Sequence, residues 1–211
     1  MNGYHLATHL MEQPRFRLTE AVQPAPGSPY PREGYRLSKF RDARTRMKLP
    51  MLSAAVSAEH LFDVFLDLLE PLGENVHVVL ESSHAEIVDQ HDDLRRSDID
   101  LPVLMSHFCD FEELLLRDGC LGVAVLSAEM PIEVQFDEHK LLYVYSPNLK
   151  PFRRILRKHG IRRRESMRLL TEAEHTHLSD EKFGDEFQQL CMRLGVGDFD
   201  AVYSDEWNTD D

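Results

Sequence analysis

The five residues Ile132-Glu133-Val134-Gln135-Phe136 alternate strictly between apolar and polar side chains. Successive side chains of a strand point to opposite faces, so this stretch reads as a strand with one dry and one wet face. That is the pattern of an antiparallel sheet covered on one side only. Two further apolar runs flank it, at residues 121–126 and 141–145. The four-residue connector Asp137-Glu138-His139-Lys140 suits a hairpin loop, so the three runs together predict a β-meander.

Helical patterns surround the meander. Leu61, Phe65, Leu68 and Leu72 recur at helical spacing after Ser57, a candidate N-cap, and predict a helix over 58–70 that Pro71 and Gly73 end. Val76-His77-Val78-Val79-Leu80 reads as a short buried strand, followed by a polar loop over 81–100. Phe108, Phe111 and Leu115 predict a helix over 107–117. Another is expected over 149–159, stopped by Gly160, and a last one after Ser179, carrying Phe183, Phe187, Leu190, Cys191 and Leu194 and closed by Gly195. Thr171 and Glu174 have capping-box spacing, as for a capped helix start or an exposed turn. The expected fold is α+β: a small antiparallel meander sheet with four or five helices packed mainly on one face.

Both ends differ from this body. Residues 1–50 hold six of the eleven prolines and nine Lys/Arg against four Asp/Glu. They read as a flexible Pro-rich basic arm, in which Tyr30, Tyr35 and Phe40 are candidate docking groups. The single domain is expected over 51–197. Residues 198–211 contain six acids and no Lys or Arg and read as an acidic tail, with the solitary Trp207 as a candidate recognition anchor.

The chain of 211 residues has a formal net charge of −13, yet its charge is segregated. Residues 150–168 carry nine Lys/Arg and one acid, for +8, and the arm adds +5, so the remainder of the chain carries −26. Over 149–156, Leu149, Phe152, Ile155 and Leu156 occupy one helical face and cations the other. Lys150, Arg153, Arg154, Arg157 and Lys158, continued by Arg162, Arg163 and Arg164, are therefore the candidate binding residues. Such a surface pairs with the protein's own acids or takes an outside anion: an acidic protein, a phosphorylated small molecule, or nucleic acid. The last is disfavoured by an acidic body and by a patch without interleaved aromatics.

Chemical motifs are sparse. The polar stretch 81–93 leaves the end of a strand and offers His84, Glu86 and His91 as metal-ligand types, without the spacing of a known zinc motif. Glu172, Glu174, His175 and His177 read as a capped helix start or exposed turn. His107 and Cys109 alternate without specifying a catalytic pair. There is no GxSxG, GxGxxG or GxxxxGK[ST], which disfavours hydrolase-elbow, dinucleotide and P-loop functions. Cysteines at 109, 120 and 191 form no disulfide framework, and neither a signal peptide nor a run of apolar residues long enough to span a bilayer is apparent. The expectation is a cytoplasmic, non-enzymatic interaction or regulatory module that uses its basic helix on a protein partner or second copy. A ligand- or metal-binding enzyme centred on 81–93 and a nucleic-acid binder through 150–168 are the alternatives.

Overall fold

The computed structural model describes residues 16–28, 32–41, 48–83 and 94–196. Seven strands form one wholly antiparallel sheet: β2 (Gly34–Arg41), β3 (Lys48–Ala55), β4 (Asn75–Ser82), β5 (Leu94–Asp100), β6 (Leu121–Ser127), β7 (Glu133–Phe136) and β8 (Leu142–Tyr145). Their spatial order is β2-β3-β8-β7-β6-β4-β5. The meander β6-β7-β8 sits at the centre, with Val125 opposite Val134 and Val134 opposite Val144, so the alternation read from the sequence sets the inward face. A separate two-stranded ribbon pairs β1 (Val22–Pro24) with β9 (His175–His177).

Among the described residues, five helices complete the α+β fold: α1 (Leu61–Leu69), α2 (Leu101–Asp110), α3 (Glu112–Arg117), α4 (Lys150–Lys158) and α5 (Glu181–Leu194). They bury their apolar sides with Leu52, Val78, Leu80, Val123, Val134, Phe136 and Val144 of the sheet in one core. At its centre the Phe65 ring lies 5.6 Å from Phe108 and 5.0 Å from Phe136, in the range of favourable tilted aromatic pairs. The opposite sheet face carries a smaller cluster, in which Met167 and Leu169 pack with Ala55, Leu141 and Tyr143.

Several local expectations are corrected. Segments 34–41 and 48–50, placed in the flexible arm, belong to the β2–β3 hairpin of the main sheet. Pro50 is tolerated in β3 because β8 pairs only from Met51 onward, so the missing N–H falls outside that ladder. Part of the expected polar loop, 94–100, is the edge strand β5, whose pattern is almost wholly exposed and so shows no alternation. The helix expected over 107–117 begins earlier, at Leu101 with Pro102 in its first turn, and breaks at Phe111 into α2 and α3. No helix starts at Thr171: a single 3-10 turn, Leu170–Glu172, leads into β9. Asp180 rather than Ser179 caps α5, accepting the Lys182 N–H at 3.1 Å, while Gly195 closes it in the left-handed conformation as expected. Among the described residues, no helix is long and apolar enough to cross a membrane.

Candidate functional site

Helix α4 positions the basic residues. Phe152 and Leu156 are fully buried on its inner side, which forces Arg153, Arg154 and Arg157 toward the outside. Beyond the helix the chain turns at Gly160, buries Ile161, and runs alongside β2, the edge strand of the sheet. There Tyr35 N–H donates to the Arg162 carbonyl at 3.1 Å and Arg164 N–H donates to the Tyr35 carbonyl at 2.8 Å. The arginine-rich segment is thus pinned as a short parallel addition to the sheet edge. Gly34 permits this approach: a Cβ there would lie 2.9 Å from the Arg164 side chain and 3.0 Å from the Arg162 carbonyl.

Between helix and segment lies a pocket of about 450 Å³, lined by Lys150, Arg153, Arg154, Arg157, Arg162 and Arg163 together with Tyr35 and Ile161. Six of the eight residues singled out from sequence therefore converge on one concavity. The other two turn elsewhere: Lys158 pairs with Asp67 at 3.3 Å, and Arg164 Nε–H donates to the Glu33 carbonyl at 3.0 Å. Of the six lining cations, Arg163 pairs with Glu165. The other five have no ion pair among the described residues, and the buried Nε of Arg153 has no hydrogen-bond partner there. Tyr35, expected on a docking arm, is 6% exposed and forms part of the pocket wall.

A second constellation was not assembled by sequence reasoning. His175 and His177 alternate on β9, and His139 comes from the β7–β8 hairpin loop. Ring centroids lie 4.8 Å apart for His139–His175, 4.7 Å for His139–His177 and 5.1 Å for His175–His177. All three are half-buried, and one potential ligand atom from each lies within 4.8 Å of the other two. The signal was the His-x-His alternation, which on a strand puts both rings on one face. On a capped helix start or an exposed turn, the alternation gives no reason to bring the two rings together.

The hairpin loop is itself tightly held. Asp137 accepts the Leu141 N–H at 2.8 Å on one carboxylate oxygen, and its other oxygen lies 3.0 Å from His139 Nδ1. Lys140, 4% exposed with a φ of 59°, donates from Nζ to the Leu121 carbonyl at 2.9 Å. Burial pushes its ammonium down to about 8.

The remaining candidates lie elsewhere. His84, Glu86 and His91, with the rest of 84–93, fall outside the described residues, as do Tyr30 and the acidic tail with Trp207. His107 and Cys109 stand two positions apart on α2, a spacing that does not bring side chains together on a helix. Burial pushes the Cys191 thiol up to about 12, which leaves it inert. Comparison with protein-family models, with curated proteins and with solved structures found no match for this chain.

Proposed function

We propose that the protein is a non-enzymatic interaction module whose basic pocket receives a compact, multiply charged anion, a phosphoryl group on a partner protein or small molecule. The observation that carries this reading is the convergence of six cationic side chains on one concavity, five of them without an ion pair among the described residues. Like charges gathered in this way repel one another, even where water screens them in part. An anion in their midst reverses the sign of that interaction.

The chemistry of the lining favours phosphate. Five of the six cations are arginines, whose planar guanidinium donates two parallel hydrogen bonds to phosphate or carboxylate oxygens. The unsatisfied Arg153 Nε–H is a further donor. A volume of about 450 Å³ lies within the range of small-molecule sites and suits a phosphorylated side chain or small polyphosphate rather than a duplex. A nucleic-acid reading would look for a long basic stripe with exposed aromatics; here the one lining aromatic, Tyr35, is largely buried.

Three probes compared at one salt concentration test the proposal: inorganic tripolyphosphate, a doubly phosphorylated peptide and a duplex oligonucleotide. Saturable binding of either of the first two, with the duplex weaker, supports it, and the stronger of the two identifies the source of the phosphoryl group. Preference for the duplex, or binding of none, contradicts it.

A further inference from the structure

We propose that His139, His175 and His177 form a three-histidine site for a divalent metal ion of the zinc class. This reading is independent of the basic pocket. The three rings are the one group of metal-ligand side chains brought together in threes among the described residues.

The hydrogen bonds around the rings decide which nitrogen each can offer. His175 Nδ1 lies 2.7 Å from the Ala173 carbonyl, and His177 Nδ1 lies 2.6 Å from the Gly119 carbonyl. A backbone carbonyl only accepts, so both Nδ1 atoms carry the proton. In a neutral imidazole this leaves Nε2 as a lone-pair nitrogen. His139 Nδ1 faces the Asp137 carboxylate at 3.0 Å, which also only accepts when ionised. All three rings are therefore held in the tautomer that presents Nε2. Each has the outer partner typical of a metal-bound histidine, a carboxylate or backbone carbonyl on the far nitrogen.

Those partners are themselves held by hydrogen bonds. Asp137 is fixed by the Leu141 amide within the hairpin turn. The Gly119 carbonyl is held because Gly119 N–H donates to the Leu178 carbonyl at 2.8 Å and Leu178 N–H donates to the Ala21 carbonyl at 2.8 Å. Gly119 allows this contact, since a Cβ there would lie 2.8 Å from the Leu178 carbonyl. Imidazole donors suit zinc, copper, nickel or iron rather than magnesium or calcium. Zinc bonds to nitrogen at about 2.0–2.1 Å, so ring nitrogens that lie within 4.8 Å of one another would have to close inward to share one ion. Three protein ligands on half-buried rings leave a fourth position for water. Because His139 comes from the main sheet and the other two from the ribbon, the ion would clamp one to the other.

The test uses the full chain purified without a polyhistidine tag. Zinc is titrated against a chromophoric chelator, with a single tight equivalent per chain expected. The paired variant His175→Ala/His177→Ala is expected to lose it, and Asp137→Asn to weaken it by about 10–100-fold. His84→Ala/His91→Ala should leave it unchanged. Should a variant not fold, the wild-type chain still decides. Zinc is expected to shield His139, His175 and His177 from carbethoxylation, read by peptide mass spectrometry, while the exposed His60 continues to react. The absence of a tight equivalent, its retention in the paired variant, or unshielded histidines at these three positions would overturn the proposal.

Discussion

Asp67 Oδ2 lies 2.7 Å from Nε2 of His159, joining the last turn of α1 to the residue that caps the end of α4. Lys158 reaches the same carboxylate oxygen at 3.3 Å. This is where the acidic body holds the basic helix, through two groups that do not line the pocket. The pairing thus anchors α4 without consuming the cations assigned to ligand binding.

Burial works against ionisation of Asp67, but the hydrogen bonds from His159 and Lys158 outweigh it and hold the carboxyl below its ordinary value of 3.8. A carboxyl depressed in the folded state contributes stability that is present above its unfolded value. That contribution is lost as pH falls through the folded value. Asp67→Asn should therefore destabilise the protein at neutral pH by about 1.5–3 kcal/mol, the range for hydrogen bonds to charged groups. The gap from wild type should close as pH drops below about 4. Denaturant unfolding across that range checks it, and a gap that stays constant would show that ionisation is not its source.

The Phe65 ring is fully buried between Phe108 and Phe136, joining α1 to α2 and to the central strand β7. Phe65→Ala should cost about 3–5 kcal/mol, the transfer and cavity terms for a buried aromatic side chain. Thermal and denaturant unfolding measure the loss. A cost below about 1 kcal/mol would mean that this contact is not part of a packed core.

Gly34 faces the arginine segment with a φ of 155° and no room for a methyl group. Gly34→Ala should displace residues 162–164 from the edge of β2, costing about 1–3 kcal/mol as an overpacked contact. Affinity for tripolyphosphate should fall with it, because Arg162 and Arg163 line the pocket. Unchanged affinity with reduced stability would detach those two arginines from the binding role.

Gly119 performs the same service for the ribbon. Gly119→Ala should push β9 away from the turn before β6 and accelerate hydrogen exchange of the Leu178 amide, which donates to the Ala21 carbonyl. Exchange read at that amide tests the contact apart from any effect on metal binding. An unaltered rate would show that the turn accommodates the methyl group.

The sheet centre was legible because β7 has one covered and one wetter face, which writes a period of two into Ile132–Phe136. The helices were legible where an apolar face meets a glycine stop, as at Gly160 and Gly195. The edge strands were not. β2 and β5 have polar, largely exposed residues over much of their length, so their ladders leave little hydrophobic alternation to read. At the basic site, the sequence identified the cations but not their convergence, which depends on the long-range pairing of Tyr35 with residues 162–164. The histidine cluster joins a hairpin loop to a three-residue strand across 36 positions: the His-x-His alternation shows two of its members, but nothing local in the sequence ties His139 to them.

The most direct test of the central claim is isothermal titration of the full chain with inorganic tripolyphosphate, beside the variant Arg153→Glu/Arg157→Glu. Both substitutions lie on the outer face of α4 and leave its buried Phe152 and Leu156 in place. The account predicts one saturable site in the wild type, weakening as salt rises, with at least a tenfold loss of affinity in the folded variant, about 1.4 kcal/mol. Equal affinity in the two folded proteins would contradict it.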